Sequence, residues 1–422
     1  MGMTLAYPGF VDVHVHFRDP GMPGAETTAS GLEAARLGGF AAVVTMPNTT
    51  PACDSPEMIA YQLSRSTTQP PNHPTTQPPN HLTTQPLNHQ TTQPPNHLTT
   101  QPPNHLTTQP PNHLTTQPPN HQTTQPILLP SACITKGRAG REVADLEALA
   151  EAGAAFFTDD GSYVADDRVM EEAMRRAAKL GICVCDHAMD PKELGGGVIR
   201  DCALARAHGL PVIPVSTETA AIRRDISICR VTGCRLHIQH ISTAEGVSLV
   251  RDAQREGLPV TAEATPHHLV LSCDEIPADD ANYKMAPPLG NGEDRAELRR
   301  AVKDGVLMFA TDHAPHPADR KSLGFAASAN GIIGLETAIP LTWRAMVEEE
   351  GMSPDAWARA WWEMPRAILS ANAAKRLDGA RQTTIVVGER RVVDVEKFAS
   401  LSRNCPYGGM VLDCWPQNYS PV

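Results

Sequence analysis

In Phe10-Val11-Asp12-Val13-His14-Val15-His16, apolar and polar residues alternate from Val11 onward. In a strand, residues two apart face the same side. Val11, Val13 and Val15 therefore share one face, and Asp12, His14 and His16 share the other. Two imidazoles at i and i+2 can converge on a single ion. The run follows Pro8-Gly9 and precedes Arg18-Asp19-Pro20-Gly21, an abrupt polar turn, which puts both histidines at the strand's C-terminal end. In a β/α barrel that end carries catalysis. Taken alone, an HxH pair is better explained as two ordinary core histidines; four further strand ends change that reading.

Those ends are alike. AAFFTDD closes on Asp160, ICVCDH on His187, RLHIQH on His240 and VLMFATD on Asp312. Four imidazoles and two carboxylates at strand ends form the ligand set of a binuclear metal hydrolase, with neutral nitrogen and carboxylate oxygen suited to zinc. Eight strands can be drawn: FVDVHVH, AAVVTM, ILLPSA, AAFFT, ICVCD, RLHIQ, PVTAEA and VLMFAT. Helical stretches lie between them, such as SPEMIAYQLSR, REVADLEALAEAG and DRVMEEAMRRAAKLG, whose apolar residues recur at three and four. The expected fold is α/β, a (β/α)8 TIM-type barrel.

A repeat interrupts this plan. Residues 67–126 are copies of the eight-residue unit TTQPPNHL, and seven of the 17 histidines lie in it. A His-rich tract invites a metal-binding reading. However, a unit with at most one apolar residue and usually two prolines can neither build a core nor hold a helix. A disordered, low-complexity insert in a helix-to-strand loop is expected. Without it, the intervals between ligand-bearing ends are about three, one, two and two strand–helix units of ~30 residues. The expected organisation is barrel over 1–66, insert over 67–126, barrel again over 127–377, and a partial C-terminal β segment over 378–422.

Composition narrows the function. The 422 residues carry a net charge of −11, which argues against nucleic acid or an anionic membrane as partner. No run of 18 apolar residues predicts a membrane span. MGMTLAYPGF lacks the basic and apolar segments of a signal peptide. The ten cysteines are scattered, with no CxxC. A reduced, cytoplasmic protein with buried thiols is expected. Cys183 and Cys185 read as alternate positions of a buried strand.

In combination the motifs resemble the amidohydrolase superfamily, and within it the bacterial-type dihydroorotases. The resemblance rests on PGFVDVHVHFRDPG (8–21), MPNTTP (46–51), ITKG (134–137), FTDDG (157–161), DH (186–187), HIQHIST (237–243), TPHHL (265–269), APPL (286–289), FATDHAPH (309–316) and GIIGLETAIPL (331–341). It implies reversible conversion of N-carbamoyl-L-aspartate to L-dihydroorotate in pyrimidine biosynthesis. By resemblance, His14, His16 and Asp312 hold one zinc ion, His187 and His240 hold a second, and Asp160 bridges them. Asp159 and a carboxylated Lys136 are the alternatives for the bridge. Asp312 serves as catalytic base and acid, while Arg18, Asn48 and His316 grip the substrate carboxylate. Partners implied are the small-molecule substrate, a second copy of the chain, and aspartate transcarbamoylase. His267 and His268 read as structural, on opposite sides of a strand; His237 reads as packed, and His313 as support.

Three segments depart from the pattern. The barrel begins almost at once, without the usual leading strands. The C-terminal segment keeps SRNCPYGG but reads RQTTIVV where the family has GxxADLV, so TTIVV and RRVVDV are expected to lack edge partners and to be loosely attached. The usual NPPLR reads Ala286-Pro287-Pro288-Leu289-Gly290, and the usual APFG reads Ser328-Ala329-Asn330-Gly331. The rival readings are a hydantoinase or allantoinase, and a non-catalytic dihydroorotase homologue that scaffolds aspartate transcarbamoylase.

Overall fold

Apolar runs of three to six residues, too short for helices and rich in Val, Ile, Phe and Ala, pair as parallel strands wherever a helix can return the chain. In the computed structural model, which describes residues 2–65, 125–277 and 279–417, they close into a barrel. The strands are β1 (Met3–Tyr7), β2 (Phe10–Val15), β3 (Phe40–Thr45), β4 (Ile127–Pro130), β5 (Val184–Asp186), β6 (Leu236–Ile238), β7 (Val260–Ala264), β8 (Leu307–Phe309), β9 (Thr383–Val392) and β10 (Val411–Pro416). Strands β2–β4 form one parallel set and β5–β8 another. Phe157 joins them by pairing with Ala132 on one side and Val184 on the other, and Val15 pairs with His313 to close the ring. The fourth barrel strand, expected over AAFFT, is short: Ala155 N and Thr158 N donate to Pro130 O and Ala132 O, and Ala132 N donates to Phe156 O.

The helices follow the periodic stretches. Asp167–Leu180 buries Met170, Ala173, Met174 and Ala177, starts on the Asp166 side chain, and stops at Gly181. Gly181 has φ 67°, a left-handed cap that favours glycine. Pro354–Ile368 covers β2 and β8. Its Trp357 lies 5.4 Å from Phe10, and its Trp361 lies 4.9 Å from Phe309. Both indole N–H groups donate to the Thr342 hydroxyl, so the largest core side chains are buried without an orphaned donor. All ten cysteines are buried and unpaired.

The repeat begins after the helix Pro56–Arg65 and ends before β4, the helix-to-strand position expected. Its residues, and the expectation of disorder, lie outside the described part of the chain.

The C-terminal expectation is corrected. Strand β9 has partners on both sides, in a three-stranded antiparallel sheet of order β1-β9-β10. Met3 to Tyr7 pair with Val387 to Thr383, and Cys414 to Pro416 pair with Val387 to Ile385. MTLAY supplies the edge strand that the C-terminal segment was expected to lack. The sheet is tied to the barrel, since Phe10 N donates to Thr383 Oγ1 at 2.9 Å and Thr383 Oγ1 donates to Gly39 O at 2.8 Å. Further on, Asn404 Nδ2 donates to Ala314 O and Gly331 O at 2.9 and 3.0 Å, clamping two loops at the barrel mouth. A second correction concerns TPHHL. His267 and His268 sit in the short helix Pro266–Val270, not in a strand, with ring centroids 4.5 Å apart.

Candidate metal centre

Each expected ligand stands at or just past the C-terminal end of a barrel position, and the geometry brings all six together. His14 Nε2 is 3.2 Å from Asp160 Oδ1, and His16 Nε2 is 3.4 Å from Asp160 Oδ2. On the other side, His187 Nδ1 and His240 Nε2 stand 3.6 and 3.9 Å from Asp160 Oδ1, and 2.8 Å from each other. Asp312 Oδ1 completes the first side, 3.0 Å from His16 Nε2 and 3.5 Å from His14 Nε2. Two three-residue groups can each hold an ion, His14–His16–Asp160 and Asp160–His187–His240, and Asp160 belongs to both.

The alternatives for the shared carboxylate point elsewhere. Asp159 accepts from the backbone N–H groups of Ile134 and Thr135 and from the Thr135 hydroxyl. Lys136 is more than half exposed and pairs with Glu142.

Local backbone geometry aims these side chains. His240, Asp312 and Arg18 have φ of 34°, 48° and 56°, a left-handed region costly for residues with a Cβ. The turn at each strand end is held by hydrogen bonds. Glu263 accepts from His240 N at 3.2 Å. Beside Asp312, Thr311 donates to the buried Asp12 through both its N–H and its hydroxyl. Burial lifts the Asp12 carboxyl to about 7 despite those bonds.

Glu263, at the end of β7, was not singled out in the sequence. Its Oε1 accepts from His14 Nδ1 at 2.6 Å and its Oε2 from His237 Nε2 at 2.9 Å. Burial alone would raise its pKa, but His14 and His237 hold it at about 2. The bond to Glu263 holds His14 by Nδ1 and turns Nε2 toward Asp160, where it can bind an ion on giving up its proton. The one available signal was a lone carboxylate inside the apolar run PVTAEA. Asn48 acts similarly on His16, accepting from Nδ1 at 2.9 Å, while its Nδ2 lies 3.4 Å from Asp160 Oδ2.

The donor set fits a cation. His14 Nε2 and Asp160 Oδ1 are buried without a hydrogen-bond partner, although such atoms are normally satisfied. Burial works against a charged His14, yet Asp160, Glu263 and Asp312 outweigh it and hold its pKa well above the usual value. Burial would likewise raise Asp160, but His14 and His16 keep it well below the carboxylate range. The cluster therefore favours added positive charge, and its nitrogen and oxygen donors suit a divalent ion.

A pocket of about 210 Å³ opens on the cluster and is also lined by Arg18, Asn48 and His316. Arg18 Nη2 is 3.5 Å from His316 Nε2, which donates to Asn330 O at 2.7 Å. Burial and Arg18 push His316 down to about 3, so it is neutral. Of the other histidines, His237 is packed against Glu263 and Thr261. His313 Nδ1 accepts from Gly334 N at 3.1 Å, and its Nε2 faces Glu26, which ties it into the loop framework.

A family model described as dihydro-orotase-like matches residues 3–70 and 98–246. The chain belongs to that family. It is 37% identical over 420 residues to the dihydroorotase of Bacillus caldolyticus, covering 99% of this chain and 86% of the relative. Against the dihydroorotase of Listeria innocua it is 36% identical over 416 residues, covering 98% and 85%. Among solved structures, the L-hydantoinase (dihydropyrimidinase) from Arthrobacter aurescens superposes with a TM-score of 0.72 at 20% identity, covering 98% of this chain and 83% of that one. That likeness speaks to the fold alone, and it agrees with the expected barrel. Among the described residues no helix is long and apolar enough to cross a membrane.

Proposed function

We propose that this protein is a dihydroorotase, a cyclic-amide hydrolase that interconverts L-dihydroorotate and N-carbamoyl-L-aspartate in pyrimidine biosynthesis. The observation that carries the reading is the convergence of four imidazoles on Asp160, with Arg18 lining the same pocket. His14, His16 and Asp312 would hold one zinc ion and His187 and His240 the other, with Asp160 shared. When bound, the ions supply Lewis acidity and a nucleophile at neutral pH.

The chain's own groups do the rest. The Arg18 guanidinium is a planar fork that matches the substrate carboxylate and orients the ring. His316, beside Arg18 in the same lining, contributes to the carboxylate grip. Asn48 holds His16 and Asp160 in register and contributes to the carboxylate grip. The Asp312 carboxylate takes the proton of the attacking water and hands it to the leaving ring nitrogen, acting as base and then acid. Run backwards, the same transfers close the ring.

A spectrophotometric assay of dihydroorotate hydrolysis, with metal analysis of the same sample, is the test. Zinc-dependent turnover is expected. A zinc-loaded protein that leaves dihydroorotate intact would overturn the reading. In that event, binding of aspartate transcarbamoylase would favour a scaffolding homologue.

A further inference from the structure

A second cavity, of about 290 Å³, opens beside the metal-facing pocket, and the two share Gly161, His187, Ala286 and Asn330. Their linings differ. Arg18, Asn48 and His316 line the first. Tyr163, Met189, Leu194, Val198, Ile213 and Met285 wall the second. Two of the polar groups around this annex are held by the protein. Lys284 Nζ donates to Ala326 O at 2.7 Å and Ser328 O at 2.8 Å. The Ser162 hydroxyl accepts from Arg138 at 2.9 Å.

The annex wall is preformed. The Arg224 guanidinium sits 4.3 Å from the Tyr163 ring centroid and is itself held by Asp225 at 2.8 Å and Val164 O at 2.6 Å. A ring fixed in this way need not be ordered when a ligand arrives. Of the four shared residues, Ala286 contributes one methyl and Gly161 no side chain, beside the larger His187 and Asn330. Ala286 stands where the resemblance leads one to expect a longer, polar asparagine. A carboxylate would lose hydration among the annex's apolar side chains, whereas an apolar group gains by leaving water.

The geometry points to a second substrate class for this centre: cyclic ureides that carry an alkyl or aryl group where dihydroorotate carries its carboxylate. This rests on the cyclic-amide hydrolysis proposed above and extends it. The ring amide stays at the metal-facing cluster, and the substituent enters the annex instead of facing Arg18. The reaction is the same hydrolysis. Water adds across the ring amide, its oxygen bonds to the carbonyl carbon, the carbon–nitrogen bond breaks, and a proton passes to the leaving nitrogen. No other reactant is consumed.

The probe is 6-phenyl-5,6-dihydrouracil, which is dihydroorotate with phenyl replacing the carboxylate. Wild-type protein with zinc is expected to hydrolyse both compounds. Val198 is half-buried on the annex wall, outside the metal-facing pocket. Val198→Trp should fill the annex, lowering kcat/KM for the phenyl compound at least tenfold and leaving dihydroorotate within threefold. Arg18→Met should do the reverse. Calorimetric titration of the phenyl compound into metal-free protein should show binding that weakens at least fivefold in Val198→Trp. Leu194→Phe, also on the annex wall, repeats the test if the tryptophan variant does not fold. Hydrolysis of dihydroorotate but not of the phenyl compound would overturn the annex proposal alone. So would an unchanged ratio of the two in both annex variants. Failure on both compounds would overturn the function itself, and the annex proposal with it.

Discussion

Glu263 receives the Nδ1 proton of His14, the Nε2 proton of His237 and the backbone N–H of His240, so one carboxylate orients both sides of the cluster. Glu263→Gln keeps the volume and removes the charge. Metal affinity should fall by roughly 10- to 100-fold while the circular dichroism spectrum is unchanged. Unaltered affinity in a metal titration would contradict the orienting role. Asp312 is different, because its loss leaves Asp160, His187 and His240 as a complete three-residue group. Asp312→Ala should lower kcat by about 10²–10⁴ while retaining metal. Near-native turnover would remove Asp312 from the proton transfer. At this scale the six converging residues were legible because each stands at the end of a short apolar run. Glu263 was not, because a carboxylate inside a strand announces neither its burial nor its partner.

Among the elements, β9 departs most from its expected state. TTIVV looked unpartnered because one of its partners lies more than 370 residues earlier, in five residues too short to announce a strand. The other, β10, joins through an irregular register at Leu412 and Cys414. Residues 385–387 are paired on both sides, so their amides should be protected from hydrogen exchange about as well as those of β2 and β3. Exchange within seconds would show the sheet to be frayed. AAFFT was legible as a strand: Ala155 to Thr158 exchange backbone hydrogen bonds with Pro130 and Ala132 on one side, and Phe157 with Cys183 and Cys185 on the other, before the chain turns to deliver Asp159 and Asp160.

The whole molecule ties its C-terminal segment to the barrel mouth through buried carboxylates. Glu336 accepts from Ala399 N at 3.0 Å and Ser400 N at 3.3 Å, with Glu26 nearby. Burial foremost raises its pKa from 4.5 to about 7. The folded state therefore binds a proton more tightly than the unfolded chain. The stability so gained is complete below about 4.5 and is lost as pH rises through about 7. Relative to Glu336→Gln, wild-type stability should decline across that window by up to about 3 kcal/mol, read from denaturant unfolding at several pH values. Parallel curves for the two proteins would contradict this. The repeat is expected to be passive at the same scale. Joining Ser66 to Ile127 through a short Gly/Ser linker should preserve fold and turnover, since closing a loop of half the length changes stability by only ~0.6 kcal/mol. Loss of metal or of hydrolysis in that deletion would show that the tract reaches the centre.

By itself the sequence determined the barrel and, at its strand ends, the six side chains that converge. These depend on period-two alternation, on helical periodicity and on residue types at strand ends, all of which are local. Tertiary structure alone decided how those residues are held. Glu263 meets His14 across 249 residues, β1 meets β9 across the whole chain, and the annex exists only where Tyr163, Val198 and Met285 come together. Pairings between distant segments depend on three-dimensional closure of the barrel, which no stretch of sequence encodes on its own.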